Sequence, residues 1–277
     1  MLFATTSLAA RIEHAECRLL SDSAEAAQRR RPRHGVFAMP LAGGIATFTA
    51  PGSPLNKVAG LGFAGPVDEG ALEAVEMAFA ERGSPVQAEV ASLADPKVVR
   101  LLTTRGYTLQ GFENVSGLGL PRECPPKPGT GVEIAESPIA ELSTWLDVVL
   151  TGFASPDTQG VPSPESYPRD LLEGVMADMA SADGFSRFLA RRDGVAAGGA
   201  SLRLLEGIAQ LCGAATRPEH RRRGVQSALL AARLRIAAEA GCDVAVVTTE
   251  PGSKSQENVQ RQGFELLYAR AILVRIF

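Results

Sequence analysis

The sequence predicts an α/β protein built of two tandem mixed α/β domains. Three observations carry this. The chain has 277 residues, more than the roughly 100 to 200 of an ordinary domain. A proline-rich break falls near its middle, and the same order of strands and helices reads out on both sides of it. The break is RECPPKPGTG, Arg122 to Gly131, whose three prolines and two glycines forbid a continuous helix or a central strand. Domains are therefore expected at 1–121 and 132–277, with 122–131 as the linker.

Before the break the pattern starts with an apolar strand, Lys57 to Phe63, and a helix with Leu72, Val75 and Phe79 on one face that stops at Gly83. A strand at Val86 to Ser92 follows, then a short helix at Pro96 to Thr104, and Gly106-Tyr107 leads into a last strand. After the break the order returns: a strand at Ile208 to Ala215, a helix stopping at Gly241, a strand at Asp243 to Thr249, a helix at Ser255 to Gln262, and Gly263-Phe264 before a final strand. Gly83 and Gly106 are 23 positions apart, Gly241 and Gly263 are 22. Each of these glycines stands where a helix must stop and feed a strand, a place that favours a left-handed residue without a Cβ. Helical periodicity also marks Glu141 to Leu150 and Arg169 to Ser181, and the four-proline stretch between them, Gly152 to Pro168, reads as a loop.

Composition removes several function classes. Charged residues make up 21% and the hydrophobic set 45%, too apolar for a disordered chain, and arginines interrupt every apolar stretch before it could span a bilayer. The formal net charge of −3 supplies no global basic field for nucleic acid. Cys17, Cys124, Cys212 and Cys242 form no CxxC pair, and His14, His34 and His220 lie far apart, so neither a zinc site nor a disulfide framework is indicated. With Arg11, Glu13 and His14 arriving early and no basic segment ahead of an apolar one, a cytoplasmic protein is expected.

The chemically informative segment is CGAATRPEHRRRGVQSALLAARLRIAAEAG, Cys212 to Gly241. A strand runs into Thr216, Pro218 ends it, and a helix begins near Gly224. Arg221, Arg222 and Arg223 thus precede a helix amino terminus, the wrong end of the macrodipole for cations, at a cost of roughly 0.3 to 1 kcal/mol each. An anion offsets that cost. The free N–H groups of the first turn converge on it, and Gly224 lets a phosphate approach the backbone. A solvated charge run is the plainer alternative.

The run Arg221-Arg222-Arg223-Gly224-Val225-Gln226 after a strand, followed by SKSQENVQRQGFELLY, resembles the GNAT superfamily of acyl-CoA-dependent acetyltransferases, whose motif is R/Q-x-x-G-x-G/A. The resemblance covers residues 131 to 277 and extends more faintly to the first half, so the whole is similar to a tandem GNAT protein of two GNAT-like domains with a degenerate amino-terminal repeat. It implies that Ala214, Ala215 and Thr216 offer main-chain groups to the pantetheine arm. It also implies that Arg221, Arg222, Arg223, Gly224, Val225, Gln226 and Ser227 hold the pyrophosphate of acetyl-CoA, with Asn258 as a further contact. Charge-assisted hydrogen bonds contribute roughly 1.5 to 3 kcal/mol each, so two or three give micromolar affinity. No metal is implied.

Two positions depart from the family. Gln226 stands where Gly or Ala is expected, and Val259 occupies the place, four residues before Gly263, where many GNAT enzymes carry the tyrosine that protonates the leaving thiolate. Replacement acids or bases are sought in Glu250, at the end of AVVTTEP, then in Glu206, within a hairpin-like LLEGIAQ, and in Tyr167 and Tyr268. Cys212 reads as a small hydrophobe. In the first half FAGPVDEGALE replaces TRPEHRRRGVQ, so Asp68 and Glu69 meet a phosphate with like charge. The run Arg29 to His34 reads as an exposed loop.

These residues lead to an N-acetyltransferase that moves an acetyl group from acetyl-CoA to a primary amine by direct transfer in a ternary complex. The alternative is a non-catalytic acyl-CoA-binding sensor or regulatory protein. The expected partners are acetyl-CoA and an amine acceptor, with no membrane, nucleic acid only as a minor alternative through Arg29 to Arg33, and a homodimer left open.

Overall fold

The computed structural model describes residues 2–120, 131–155, 159 and 167–277. Most of the sequence's linker and of its proline-rich loop lie outside them. In chain order the elements are α1 (Thr6–Arg30), β1 (Phe37–Leu41), β2 (Gly44–Phe48), β3 (Lys57–Ala59), α2 (Glu69–Ala80), β4 (Val86–Ala91), α3 (Pro96–Thr104) and β5 (Thr108–Gly119). Then come β6 (Glu133–Glu136), α4 (Leu142–Phe153), α5 (Arg169–Met179), β7 (Phe185–Arg192), β8 (Val195–Leu205), β9 (Ile208–Gln210) and β10 (Ala214–Thr216). The chain continues through α6 (Val225–Glu239), β11 (Val244–Thr249), α7 (Lys254–Arg261) and β12 (Glu265–Arg275).

Two compact units result, each a mixed α/β layer. The amino-terminal unit comprises Phe3–Val115, Glu165–Ala182 and Leu266–Phe277; the carboxyl-terminal unit comprises Met1–Leu2, Ser116–Pro164 and Asp183–Glu265. These units differ from the segments 1–121 and 132–277 because β12 and α5 of the second half join the amino-terminal unit, while the last residues of β5, from Ser116, join the carboxyl-terminal unit. Strand β12, from the second half, pairs antiparallel with β4 in the register Arg270↔Ala91 to Arg275↔Val86. Strand β5, from the first half, neighbours β11, and Leu120 N beyond it donates to Asp243 O at 2.8 Å.

In the amino-terminal unit the strand order is β1-β2-β3-β4-β12-β5. The strand expected over Lys57 to Phe63 is shorter, ending at Ala59, because Gly60 and Gly62 take positive φ values and turn the chain away. Helix α1 is capped by the Thr5 side chain, which accepts from Leu8 N. The arginine run read as a loop from Arg29 is partly helix, since Arg29 and Arg30 form the last turn of α1. Arg30 and Arg31 both pair with buried Asp178 of α5, at 2.8 and 2.7 Å, so two members of the run are structural.

The same unit contains a buried ionic network. Arg270 Nε donates to Glu13 Oε1 at 2.8 Å and Nη1 to Glu113 Oε1 at 2.9 Å, while Lys57 Nζ lies 2.5 Å from Glu89 Oε1. Three carboxylates face two cations. Burial, then the Glu89 charge, pushes the Glu113 carboxyl up to about 7. The folded state therefore holds this proton more tightly than the unfolded chain, and its contribution is full below the unfolded carboxyl range and lost as pH rises through about 7. Glu113→Gln, which can still accept from Arg270, is expected to raise the melting temperature at pH 8 by about 2–4 °C, the effect of roughly 1 kcal/mol in a domain of this size. At pH 5 thermal melts should show little difference.

In the carboxyl-terminal unit the order is β5-β11-β9-β8-β7-β6, with β10 on β8. The core gathers Phe188, Leu202, Leu229, Leu234, Val259 and Phe264 between the sheet and α6 and α7. Adjacent glycines in β8 seat a helix on each face. A Cβ on Gly198 would lie 2.6 Å from Val225 Cγ1 of α6, and one on Gly199 would lie 2.7 Å from Val149 Cγ2 of α4. On the Gly199 side α4 inserts Trp145, fully buried, whose indole N–H donates to Ala200 O at 3.2 Å. Glycine inside a strand pattern signals such close approach.

Candidate active site

The strand expected as Ile208 to Ala215 is two strands, and the break creates the site. β9 pairs in parallel with β11 from Ile208↔Val244 to Gln210↔Val246, and Leu211 N donates to Val246 O at 2.8 Å. There the pairing stops. Gly213 takes φ +49, and β10 goes on along β8 instead, with Ala214↔Ala200 to Thr216↔Gly198. Past Leu211 the chain parts from β11, and the side of β10 turned away from β8 is the candidate cleft.

Strand alternation identifies which main-chain groups face that cleft. Arg217 N donates to Ala197 O at 3.0 Å, so two residues back Ala215 and Gly199 form a hydrogen-bonded pair. Ala214 and Thr216 consequently turn their N–H and C=O groups away from β8, toward the cleft. Of the three residues expected to offer backbone groups, Ala214 and Thr216 leave theirs off β8 and Ala215 is spent on the sheet.

At the same end of the unit α6 begins. Its N-cap is Gly224 at φ +77, with no side-chain cap hydrogen bond and no acid in the first turn. The amides of Val225, Gln226 and Ser227 are therefore left without the oxygen that Ser, Asp or Thr would supply. Arg222, at φ +58, and Arg223 are exposed and unpaired among the described residues. Arg221 differs: its guanidinium donates to Gly152 O at 3.3 Å and to Ser155 O, at the carboxyl end of α4. Gln226 turns its amide to Asn258 of α7, which donates to Gln226 Oε1 at 2.8 Å. Its side chain is thereby drawn toward α7, leaving the backbone amides clear.

The candidate acids and bases separate. Glu250 is exposed just past the end of β11, at the cleft, and its carbonyl accepts from Ser253 N at 3.2 Å in the turn before α7. Glu206 takes φ +47 and Gly207 φ +82 in the two-residue turn between β8 and β9. Gly207 O accepts from Asp243 N, so Glu206 stands at the opposite end of the β9–β11 pair from Glu250. Tyr268 belongs to the amino-terminal unit, where its hydroxyl donates to Glu13 Oε1 at 2.7 Å; burial, then the Glu13 charge, drives its pKa far up. Val259 is 5% exposed inside the core. Tyr167 lies among the described residues next to Pro168, and Cys212 is half-buried beside the break. No group of three metal-ligating side chains occurs among the described residues, and no described helix is long and apolar enough to cross a membrane.

Residues that sequence reasoning missed include the Gly198-Gly199 seat, Gly152, and Arg233, buried on the apolar face of α6. Arg233 donates to Ser201 O at 2.9 Å and to Leu229 O at 3.2 Å, and burial lowers its pKa to about 10. Only the paired glycines left a signal in the sequence.

Residues 153–264 match the acetyltransferase (GNAT) family model. The fold as a whole is that of a tandem GNAT protein. A GCN5-related N-acetyltransferase from Kribbella flavida superposes with a TM-score of 0.64 at 20% identity, covering 93% of this chain and 94% of that one. The tandem GNAT protein from the clavulanic acid biosynthesis pathway gives 0.59 at 16% identity, covering 84% and 78%. A GCN5-related N-acetyltransferase from Sphaerobacter thermophilus gives 0.55 at 16% identity over 75% and 67%. No curated protein is similar to the chain in sequence.

Proposed function

We propose that the carboxyl-terminal unit moves an acetyl group from acetyl-CoA directly to a primary amine held in the same complex. The observation that supports this best is the junction of two features: the outward-facing Ala214 and Thr216 of β10, and the uncapped start of α6 at Gly224. An extended amide-bearing arm adds to β10 as a strand would, and a pyrophosphate takes the amides of Val225, Gln226 and Ser227 with Arg222 and Arg223 beside it. The co-substrate supplies the activated acyl carbon. The amine lone pair attacks it, the thiolate departs, and Glu250 accepts the ammonium proton. Glu206 and Tyr268, placed as they are, do not serve this step. No metal enters the reading.

Thiol release from acetyl-CoA, followed across a panel of amines, amino acids, peptides and aminoglycosides, tests the proposal. Turnover with any of them supports it, and tight binding without turnover on all of them replaces it with an acyl-CoA sensor. One observation favours that second reading: the position of the family's phenol carries a core valine, Val259.

The amino-terminal unit is read as a degenerate repeat. Its α2 is capped by Asp68, whose Oδ1 accepts from Ala71 N at 2.8 Å, and Glu69 follows in the first turn. One of the first-turn amides an anion would need is thus occupied, and the local charge repels it. Calorimetric titration of the intact chain with acetyl-CoA is expected to end at one equivalent; two equivalents would remove the distinction between the units.

A further inference from the structure

The three arginines before α6 do not share one task. Arg221 sends its guanidinium away from the α6 terminus to Gly152 O in the last turn of α4 and to Ser155 O just past it. Four residues earlier Arg217 Nη2 donates to Asp147 Oδ2 of the same helix at 2.5 Å. The two contacts fall at Asp147 and at Gly152 to Ser155, so they grip the second half of α4 at two points along its length. Gly152 itself lies against β10: a Cβ there would stand 2.5 Å from the Ala215 Cβ and 3.3 Å from Thr216 N. A cation at a helix carboxyl terminus also lies where the macrodipole favours it, which removes for Arg221 the misfit noted at the start of α6.

We propose that Arg221, assisted by Arg217, is a positioning residue that clamps the carboxyl end of α4 onto β10 and so fixes the strand that lines the cleft, leaving phosphate recognition to Arg222, Arg223 and the α6 amides. The inference rests on the reading above that the cleft takes acetyl-CoA, and it assigns the arginines by the part of the ligand each one serves. A residue that touches the pyrophosphate matters for acetyl-CoA and not for acetyl-pantetheine, which has no pyrophosphate. A residue that fixes β10 matters equally for both.

The test compares Arg221→Gln, Arg222→Gln and Arg223→Gln in the full chain, with melting curves to show that each folds. Affinities for acetyl-CoA and acetyl-pantetheine are measured by calorimetry or by competition. Arg222→Gln and Arg223→Gln should weaken acetyl-CoA about tenfold and leave acetyl-pantetheine within twofold, whereas Arg221→Gln should weaken both by the same factor. Hydrogen exchange of the α4 amides, Val149 to Ala154, is read in the absence of any ligand. It should accelerate at least tenfold in Arg221→Gln and stay unchanged in Arg222→Gln. Loss confined to acetyl-CoA in Arg221→Gln, or unchanged α4 exchange, overturns the proposal. Failure of the wild-type chain to bind either ligand would sink the functional reading instead, and the exchange experiment still decides whether Arg221 clamps α4.

Discussion

Gly224→Glu is expected to reduce acetyl-CoA affinity by at least a hundredfold while the fold persists. Two effects add. At φ +77 any Cβ is strained by roughly 1 to 2 kcal/mol, and the new carboxylate competes for the α6 amides while repelling the pyrophosphate. Gly224→Ala separates the two, because it keeps the strain and omits the charge. Calorimetry should show a modest loss for Ala and no measurable binding for Glu. The residue is exposed, so melting temperatures should fall by only a few degrees. A Glu variant with wild-type affinity would place the phosphate elsewhere.

Glu250→Gln should lower kcat by about a hundredfold or more, at the low end of what a general base contributes, with acetyl-CoA affinity unchanged. The glutamine is isosteric, and nothing in the α6 cradle depends on it. Glu250 is exposed just past the end of β11, and the proposed transfer has the attacking amine shed its proton there. Initial rates with a fixed acceptor, paired with calorimetry, check both halves of the expectation. Wild-type kcat would assign the proton to a water chain, and a matching loss of acetyl-CoA affinity would make Glu250 structural.

Local pattern carried the reading of the elements well, because the features that set them are local. The apolar face of α2, the Asp95 cap with Pro96 at the start of α3, and the glycine stops at Gly83, Gly106 and Gly241 each act within a few residues. The start of α6 at Gly224 was legible for the same reason. The parting of β9 from β10 was not. Cys212-Gly213 looks like any strand interior, and what breaks the pairing is β8 taking β10 on its Gly198–Ala200 segment. Arg221 was misleading in its own way: the motif places it next to the phosphate site, while its partners lie on α4, nearly seventy positions earlier. Strand exchange was out of reach altogether. Gly106-Tyr107 and Gly263-Phe264 open final strands of the same kind, and nothing in either says which sheet it completes.

That exchange has a consequence for how the molecule comes into being. The order β4-β12-β5-β11 alternates between strands of the two halves of the sequence, so β4 waits for β12 and β11 for β5. Neither half can reach its final state by itself, and the closure entropy of very long loops is met before the reward of pairing arrives. Folding should be slow, with one late cooperative step in which both sheets close together, and a half-closed chain offers an open strand slot that a second molecule can fill. Dimers that trade β12 between copies are thus the expected by-product of refolding at high concentration. Size-exclusion chromatography against protein concentration during refolding would reveal them.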